Sequence, residues 1–267
     1  MDPSQLDQYF ARIQYQGPRA PSLQVLHALT AAHTQSIPFE NLDVLLGCGI
    51  DLSDDAVFDK LVVRRRGGYC FEQNTLFMRV LSALGFEVKP LSARGRISWP
   101  DRNFIPPRTH LLLQITLHGE RWLTDVGMGA NSLTAAIRFE PDIEQSTPHD
   151  TRRIVRDSDK WFHQIRYAEQ WVDVAEITGE EMPLIDRVVA NWYTSSHPDS
   201  HFKGRMIVAR AGEDGRRYTL SHHELKQRER DGHATTQAID TPEQLLEILA
   251  KKFEIQLPPG TRFAGLT

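Results

Sequence analysis

Residues 64–91 read RRRGGYCFEQNTLFMRVLSALGFEVKPL, and a change of hydrophobic period inside this stretch decides the fold class. After the glycine pair Gly67-Gly68, the residues Leu76, Phe77, Val80, Leu81 and Leu84 fall at three- and four-residue steps. That is the stripe of an amphipathic helix starting at about Cys70. Gly85 stands where a left-handed C-cap belongs. From Phe86 the step becomes two: Phe86, Val88 and, beyond Pro90, Leu91 alternate with polar residues, and Ile97 lies on the continuation. Helices give way to strands, so the chain reads as α+β.

Upstream, Leu6, Tyr9, Phe10 and Ile13, then Leu23, Leu26 and Leu29, keep helical spacing, and Ser53-Asp54-Asp55 opens another helix with Val57, Phe58, Leu61 and Val62 buried. Downstream, strands at 109–117 and 121–126 flank His118-Gly119, a dipeptide suited to a tight hairpin turn. Further strand-like pieces at 152–155, 162–167 and 171–174 predict one antiparallel sheet or small barrel. The alternation lapses near Met182-Pro183, and 186–193 reads as a short helix. A hairpin of 206–210 with 217–220 follows. Thr241 and Pro242 then open a closing helix with Leu245, Leu246, Ile248, Leu249 and Phe253 as its stripe. The expected divisions are 1–85, 86–185 and 186–267.

The composition of the 267 residues, with 40% hydrophobic and 25% charged, excludes wholesale disorder and collagen-like character. A net charge of −4 supplies no global field for nucleic acid or an anionic membrane, so neither is an expected partner. With only Cys48 and Cys70, an N-terminus MDPSQLD unlike a signal peptide, and no apolar run of spanning length, the expected compartment is the cytoplasm. Neither G-x-x-x-x-G-K-[ST] nor G-x-G-x-x-G occurs, so the nucleotide part of any cofactor would be bound without those loops.

Cys70 admits two readings. A cysteine behind two glycines at a helix start meets free N–H groups and the positive end of the dipole, which favour a thiolate nucleophile. Cysteine is equally among the residues most often buried as small apolar groups. The hairpin weighs on that choice. With a two-residue turn at His118-Gly119, Leu117 pairs with Glu120 and Asp125 falls opposite Leu112. His110 then shares a face with Asp125 as its diagonal neighbour, at about 7–8 Å between strands. A three-residue loop would put them on opposite faces. The carboxylate would fix the imidazole tautomer and leave the other nitrogen for the Cys70 sulfur. Taken singly, His110 reads as a strand-end histidine and Asp125 as a turn-forming acid before Gly127.

The segments RGGYCFEQN (66–74), IPFENLDV (37–44), RTHLLL (108–113), TDVGMG (124–129) and SSHPDSHF (195–202), in this order along nearly the whole chain, resemble the arylamine N-acetyltransferases. The resemblance implies an N-terminal helical bundle, a central antiparallel β-barrel and a C-terminal α/β lid around a cysteine-protease-like catalytic core. Its triad falls on Cys70, His110 and Asp125. It also implies ping-pong acetyl transfer from acetyl-coenzyme A to an arylamine or arylhydrazine through acetyl-Cys70, with no metal.

By the same resemblance Phe39, Tyr69, Phe71 and Met128 are candidate walls for the aromatic acceptor, although the family often has an aromatic residue where Met128 stands. Gly127 and Gly129 are candidate backbone contacts to the donor. Glu40 and Asn41 are expected to tie the helices to the catalytic loop. Arg64, Arg65 and Arg66 read as a solvated helix end rather than a phosphate site. His197 and His201 have i, i+4 spacing but lack a ligand pattern for a metal. The same triad could serve an amide synthase or a hydrolase, and the chain could act as a monomer or a homodimer.

Overall fold

The computed structural model describes residues 1–263. Helix α1 (Pro3–Arg12) begins at a reciprocal cap, in which the Asp2 carboxylate accepts the Gln5 N–H at 2.9 Å and Gln5 Oε1 accepts the Asp2 N–H at 3.2 Å. Helix α2 (Leu23–Ser36) is capped by Ser22. A two-residue strand β1 (Phe39–Glu40), a single turn α3 (Leu42–Leu45) and α4 (Asp54–Phe58) follow. Beyond α4 the helix widens into a π turn over Asp59–Val63, then the chain passes the glycines into α5 (Cys70–Ala83). Tyr9, Leu26, Leu29, Leu61, Leu76 and Phe77 are fully buried and pack these helices into one core. Each such side chain contributes about 1.5–3 kcal/mol.

Eight strands come next: β2 (Glu87–Gly95), β3 (His110–Leu117), β4 (Glu120–Thr124), β5 (Ile137–Arg138), β6 (Gln145–Ser146), β7 (Thr151–Asp157), β8 (Lys160–Tyr167) and β9 (Gln170–Glu181). They form one antiparallel sheet in the order β5-β4-β3-β2-β9-β8-β7-β6. This sheet is a nearly closed barrel. Its edges meet through a side chain: Gln145 of β6 accepts the Arg138 N–H of β5 at 2.6 Å and donates to the Arg138 carbonyl at 3.1 Å. β3 is apolar on both faces, with Leu113 and Ile115 in the helical core and Leu112 in the barrel core. That is why HLLLQI reads as a continuous apolar run rather than an alternation.

β2 stops at Gly95, and Ile97 lies outside the strand, contrary to the periodic reading. The cause is Arg96. Its buried guanidinium donates to the carbonyls of Asp101 at 2.5 Å and Phe104 at 2.8 Å, which winds residues 96–109 into a loop.

After α6 (Leu184–Ser196), longer at both ends than expected, come α7 (His201–Gly204), β10 (Ile207–Ala211), β11 (Arg217–Ser221), β12 (Glu224–Arg228), β13 (Ala234–Ala238) and α8 (Pro242–Phe253). The second sheet runs β1-β10-β11-β12-β13, so Phe39 and Glu40 from the N-terminal region complete a sheet built by the C-terminal one. Its core joins Leu42 and Leu45 to Val208, Leu220, Leu249 and Phe253. Among the described residues no helix is long and apolar enough to cross a membrane.

Candidate active site

Cys70 is the first residue of α5 and lies where three elements meet, packed with Phe39, Tyr69, Phe71, Leu111 and Ala209. The two preceding glycines are required by close approach. A Cβ on Gly67 would lie 2.1 Å from the Pro38 carbonyl oxygen, and one on Gly68 would lie 2.7 Å from the Glu72 carboxylate. With those side chains absent, Glu72 accepts the Tyr69 N–H at 3.0 Å and fixes the start of the helix. Lys60 in turn grips Glu72 at 2.7 Å and Asp43 at 2.8 Å, all three largely out of solvent. The helix therefore presents Cys70 from a rigid start.

The hairpin supplies the partners. Its turn residues His118 and Gly119 have φ of 52° and 80°, the left-handed pair that a two-residue turn needs, and Leu117 pairs with Glu120 as expected. His110 and Asp125 consequently fall on one face. The His110 Nε2–H donates to Asp125 Oδ2 at 2.7 Å, with both groups buried. Cys70 is close enough to the same ring to favour its charged form, and its Sγ lies 3.7 Å from the Thr109 carbonyl oxygen, to which the thiol donates. Burial alone would lower the His110 pKa, but the Asp125 carboxylate and Cys70 outweigh it and push it up to about 10. Burial would raise Asp125, yet His110, Asn74 and the Gly127 N–H hold it below the usual carboxylate range. The arrangement can hold a proton on an imidazole beside a sulfur at neutral pH.

The other candidates lie at varied distances from this centre. Phe39 is nearly buried, and its ring lies 3.5 Å from where a Cβ on Gly129 would be. Gly127 presses on Cys70 itself: a Cβ there would lie 2.6 Å from the Cys70 Cα. Met128 is half-buried and packs on the barrel core. Tyr69 and Phe71 are fully buried against one another with ring centroids 5.7 Å apart, and the Tyr69 hydroxyl donates to Asn191 on α6.

Glu40 accepts from Arg66 and from the Gly67 N–H, which ties it to the Cys70 loop as expected. Asn41 departs from that expectation. Its amide donates to the Phe202 and Arg205 carbonyls and accepts the Ile207 N–H, so it anchors the C-terminal region instead. The arginine run is not all solvated: Arg64 pairs with Asp59 at the surface, while Arg66 is committed to Glu40 and Asp43 at 2.7 and 2.8 Å.

Sequence reasoning missed Asn74. It stands one helical turn beyond Cys70, donates to Asp125 Oδ1 and to the Leu111 carbonyl, and accepts the Val126 N–H. The i, i+4 spacing from the cysteine was the available signal. Also missed was a buried charge cluster in which Asp150 holds Arg152 and Arg217. Those arginines donate to the Asn131 and Ser132 carbonyls and so brace the loop after Asp125.

A family model described as N-acetyltransferase matches residues 22–262. An arylamine N-acetyltransferase of Mycolicibacterium smegmatis is 42% identical over 254 residues, which is 93% of this chain and 91% of that protein. The solved arylamine N-acetyltransferase of Salmonella typhimurium superposes with a TM-score of 0.91 at 35% identity, covering 100% of this chain and 97% of that one. The enzyme of Mycobacterium marinum, solved in complex with CoA, superposes at 0.89 with 36% identity, covering 94% and 92% of the two chains.

Proposed function

Because the chain belongs to the arylamine N-acetyltransferase family, we propose that its transfer of acetyl groups from acetyl-coenzyme A to arylamines runs through Cys70, with His110 and Asp125 as partners. The observation that carries this reading is the 2.7 Å bond from His110 to Asp125, on a ring whose charged form is favoured by both Asp125 and Cys70.

In the first half-reaction the Cys70 sulfur, its proton held by His110, attacks the thioester carbonyl. The tetrahedral intermediate collapses by breaking the bond to the coenzyme A sulfur, and the departing thiolate takes the proton from His110. The result is acetyl-Cys70 and free coenzyme A. In the second, the neutral nitrogen of the aromatic amine attacks acetyl-Cys70. His110 removes its proton, the Cys70 sulfur leaves, and the starting protonation is restored. Backbone N–H groups at the start of α5 are suited to the oxyanion. Asp125 keeps the imidazole turned and offsets its charge in a buried place.

Phe39 and Met128, with Tyr69 and Phe71 behind them, form the acceptor wall, and Gly127 and Gly129 leave backbone room for the donor. This assigns the nucleophile to 1–85, its partners to a barrel at 86–185 and an α/β lid to the third division, 186–267, of which 264–267 lie outside the described residues, with the work done in the cytoplasm. Because all three groups come from one chain, no second subunit is required for the chemistry. Steady-state kinetics with acetyl-coenzyme A and a simple arylamine tests the scheme: parallel double-reciprocal lines are expected, and intersecting lines would overturn it.

A further inference from the structure

Thr109, whose carbonyl lies against the Cys70 sulfur, forms a common wall of two clefts. One, of about 350 Å³, is edged by charged side chains including Arg108, Glu180 and Asp186. The other, of about 110 Å³, is lined by Trp99, Pro107, Thr109, Tyr193, His201 and Phe202 among others. Its lining contains no lysine or arginine, and the one carboxylate, Asp199, opposes phosphate.

Its aromatic walls are held in advance. Trp99 is stacked on Phe104 with centroids 4.5 Å apart and planes 20° apart, and Tyr193 is stacked on His197 at 4.7 Å and 20°. Phe202 carries the aromatic surface inward, 6.4 Å from Phe39 and 5.8 Å from Tyr69 between centroids. Aromatic surface therefore runs from the neighbourhood of the sulfur to an exposed rim, where Trp99 remains 40% accessible. Rings already fixed by stacking lose little freedom on binding a further ring.

We propose that this second cleft is an outer subsite for the distal ring of an elongated arylamine, with Trp99 and Tyr193 setting the preference for acceptor length. The inference rests on the acetyl-transfer reading. A neutral biaryl matches the cleft's chemistry, whereas the diphosphate of the donor does not. The ring bearing the amine would sit inward near Phe39, and the next ring between Trp99 and Tyr193.

The test compares kcat/KM for aniline and for 4-aminobiphenyl in the wild-type enzyme, Trp99→Ala, Trp99→Phe and Tyr193→Ala, together with acetylation of Cys70 by acetyl-coenzyme A alone. For Trp99→Ala and Tyr193→Ala the expected result is a loss on the order of tenfold for 4-aminobiphenyl, carried by KM. Aniline turnover and the donor half-reaction should stay within about twofold of wild type, and Trp99→Phe should recover most of the loss. Equal losses for both amines, no loss for either, or a slowed donor half-reaction would overturn the subsite. A wild-type enzyme that never acquires an acetyl group would instead remove the reading on which it rests, and the subsite with it.

Discussion

Asn74 Nδ2 donates to Asp125 Oδ1 at 2.9 Å, which joins the helix that begins with Cys70 to the acid that holds His110. One amide thus ties the start of α5 to the Asp125–His110 pair. Asn74→Ala would leave a carboxylate oxygen, the Leu111 carbonyl and the Val126 N–H short of a partner in a buried site. The expected cost is about 2–3 kcal/mol of stability. A denaturant midpoint unchanged from wild type would contradict it. Acetyl transfer should fall through kcat rather than KM, since Asn74 is placed to touch the acid and not the substrate.

The charge on His110 makes stability depend on pH in a definite direction. Its folded pKa, near 10, lies above the ordinary 6.5, so the folded state binds the proton more tightly. The stabilisation is complete below pH 6.5 and is lost as pH rises toward about 10. Asp125, held below 3.8, contributes in the opposite sense: its share is present above pH 3.8 and lost as pH falls through its folded value. Urea melts of wild type and His110→Gln should therefore differ most between pH 3.8 and 6.5, with the gap narrowing as pH rises through neutrality toward about 10. A constant gap would contradict the pairing.

Gly127→Ala is expected to be far more damaging than a surface change of the same size. The new methyl would lie 2.6 Å from the Cys70 Cα and 2.7 Å from Asn74 Nδ2, and a Cβ contact with backbone cannot be relieved by a rotamer change. About 1–3 kcal/mol of destabilisation should follow. Alkylation of Cys70 by iodoacetamide at neutral pH reports the site directly, and a rate equal to wild type would show that the approach is not tight.

Removing Asp150 should strand two buried cations. Asp150 Oδ2 accepts from Arg152 at 3.0 Å and from Arg217 at 2.8 Å, and both guanidinium groups are almost wholly buried. Asp150→Ala should cost about 3–5 kcal/mol. Thermal melts would check this, and a fall in Tm no larger than that of an exposed acid such as Glu247→Ala would refute it.

The parts read correctly in advance were those with a local cause. The turn at His118-Gly119 fixed the register of β3 and β4, and that register alone put His110 beside Asp125. The start of α5 at Cys70 followed from the glycines and the apolar stripe behind them. The strands β12 and β13 escaped notice because Lys226, Gln227, Thr235, Thr236 and Gln237 leave no apolar alternation to detect. β1 is two residues long, too short for any period, and its partner β10 lies far along the chain. Asn41 was assigned to the wrong neighbour for the same reason: its bonds reach residues 202–207, and one strand of text carries no sign of them. Side-chain amides that bridge distant elements, such as Asn74 and Gln145, have no periodic signature at all.

Mixing the enzyme with acetyl-coenzyme A in the absence of amine, then weighing the intact protein and mapping its peptides, bears most directly on the central claim. A gain of one acetyl group on the peptide carrying Cys70, absent in Cys70→Ala and discharged when an arylamine is added, is the predicted result. An enzyme that turns over arylamine while its Cys70 stays unmodified would contradict the account.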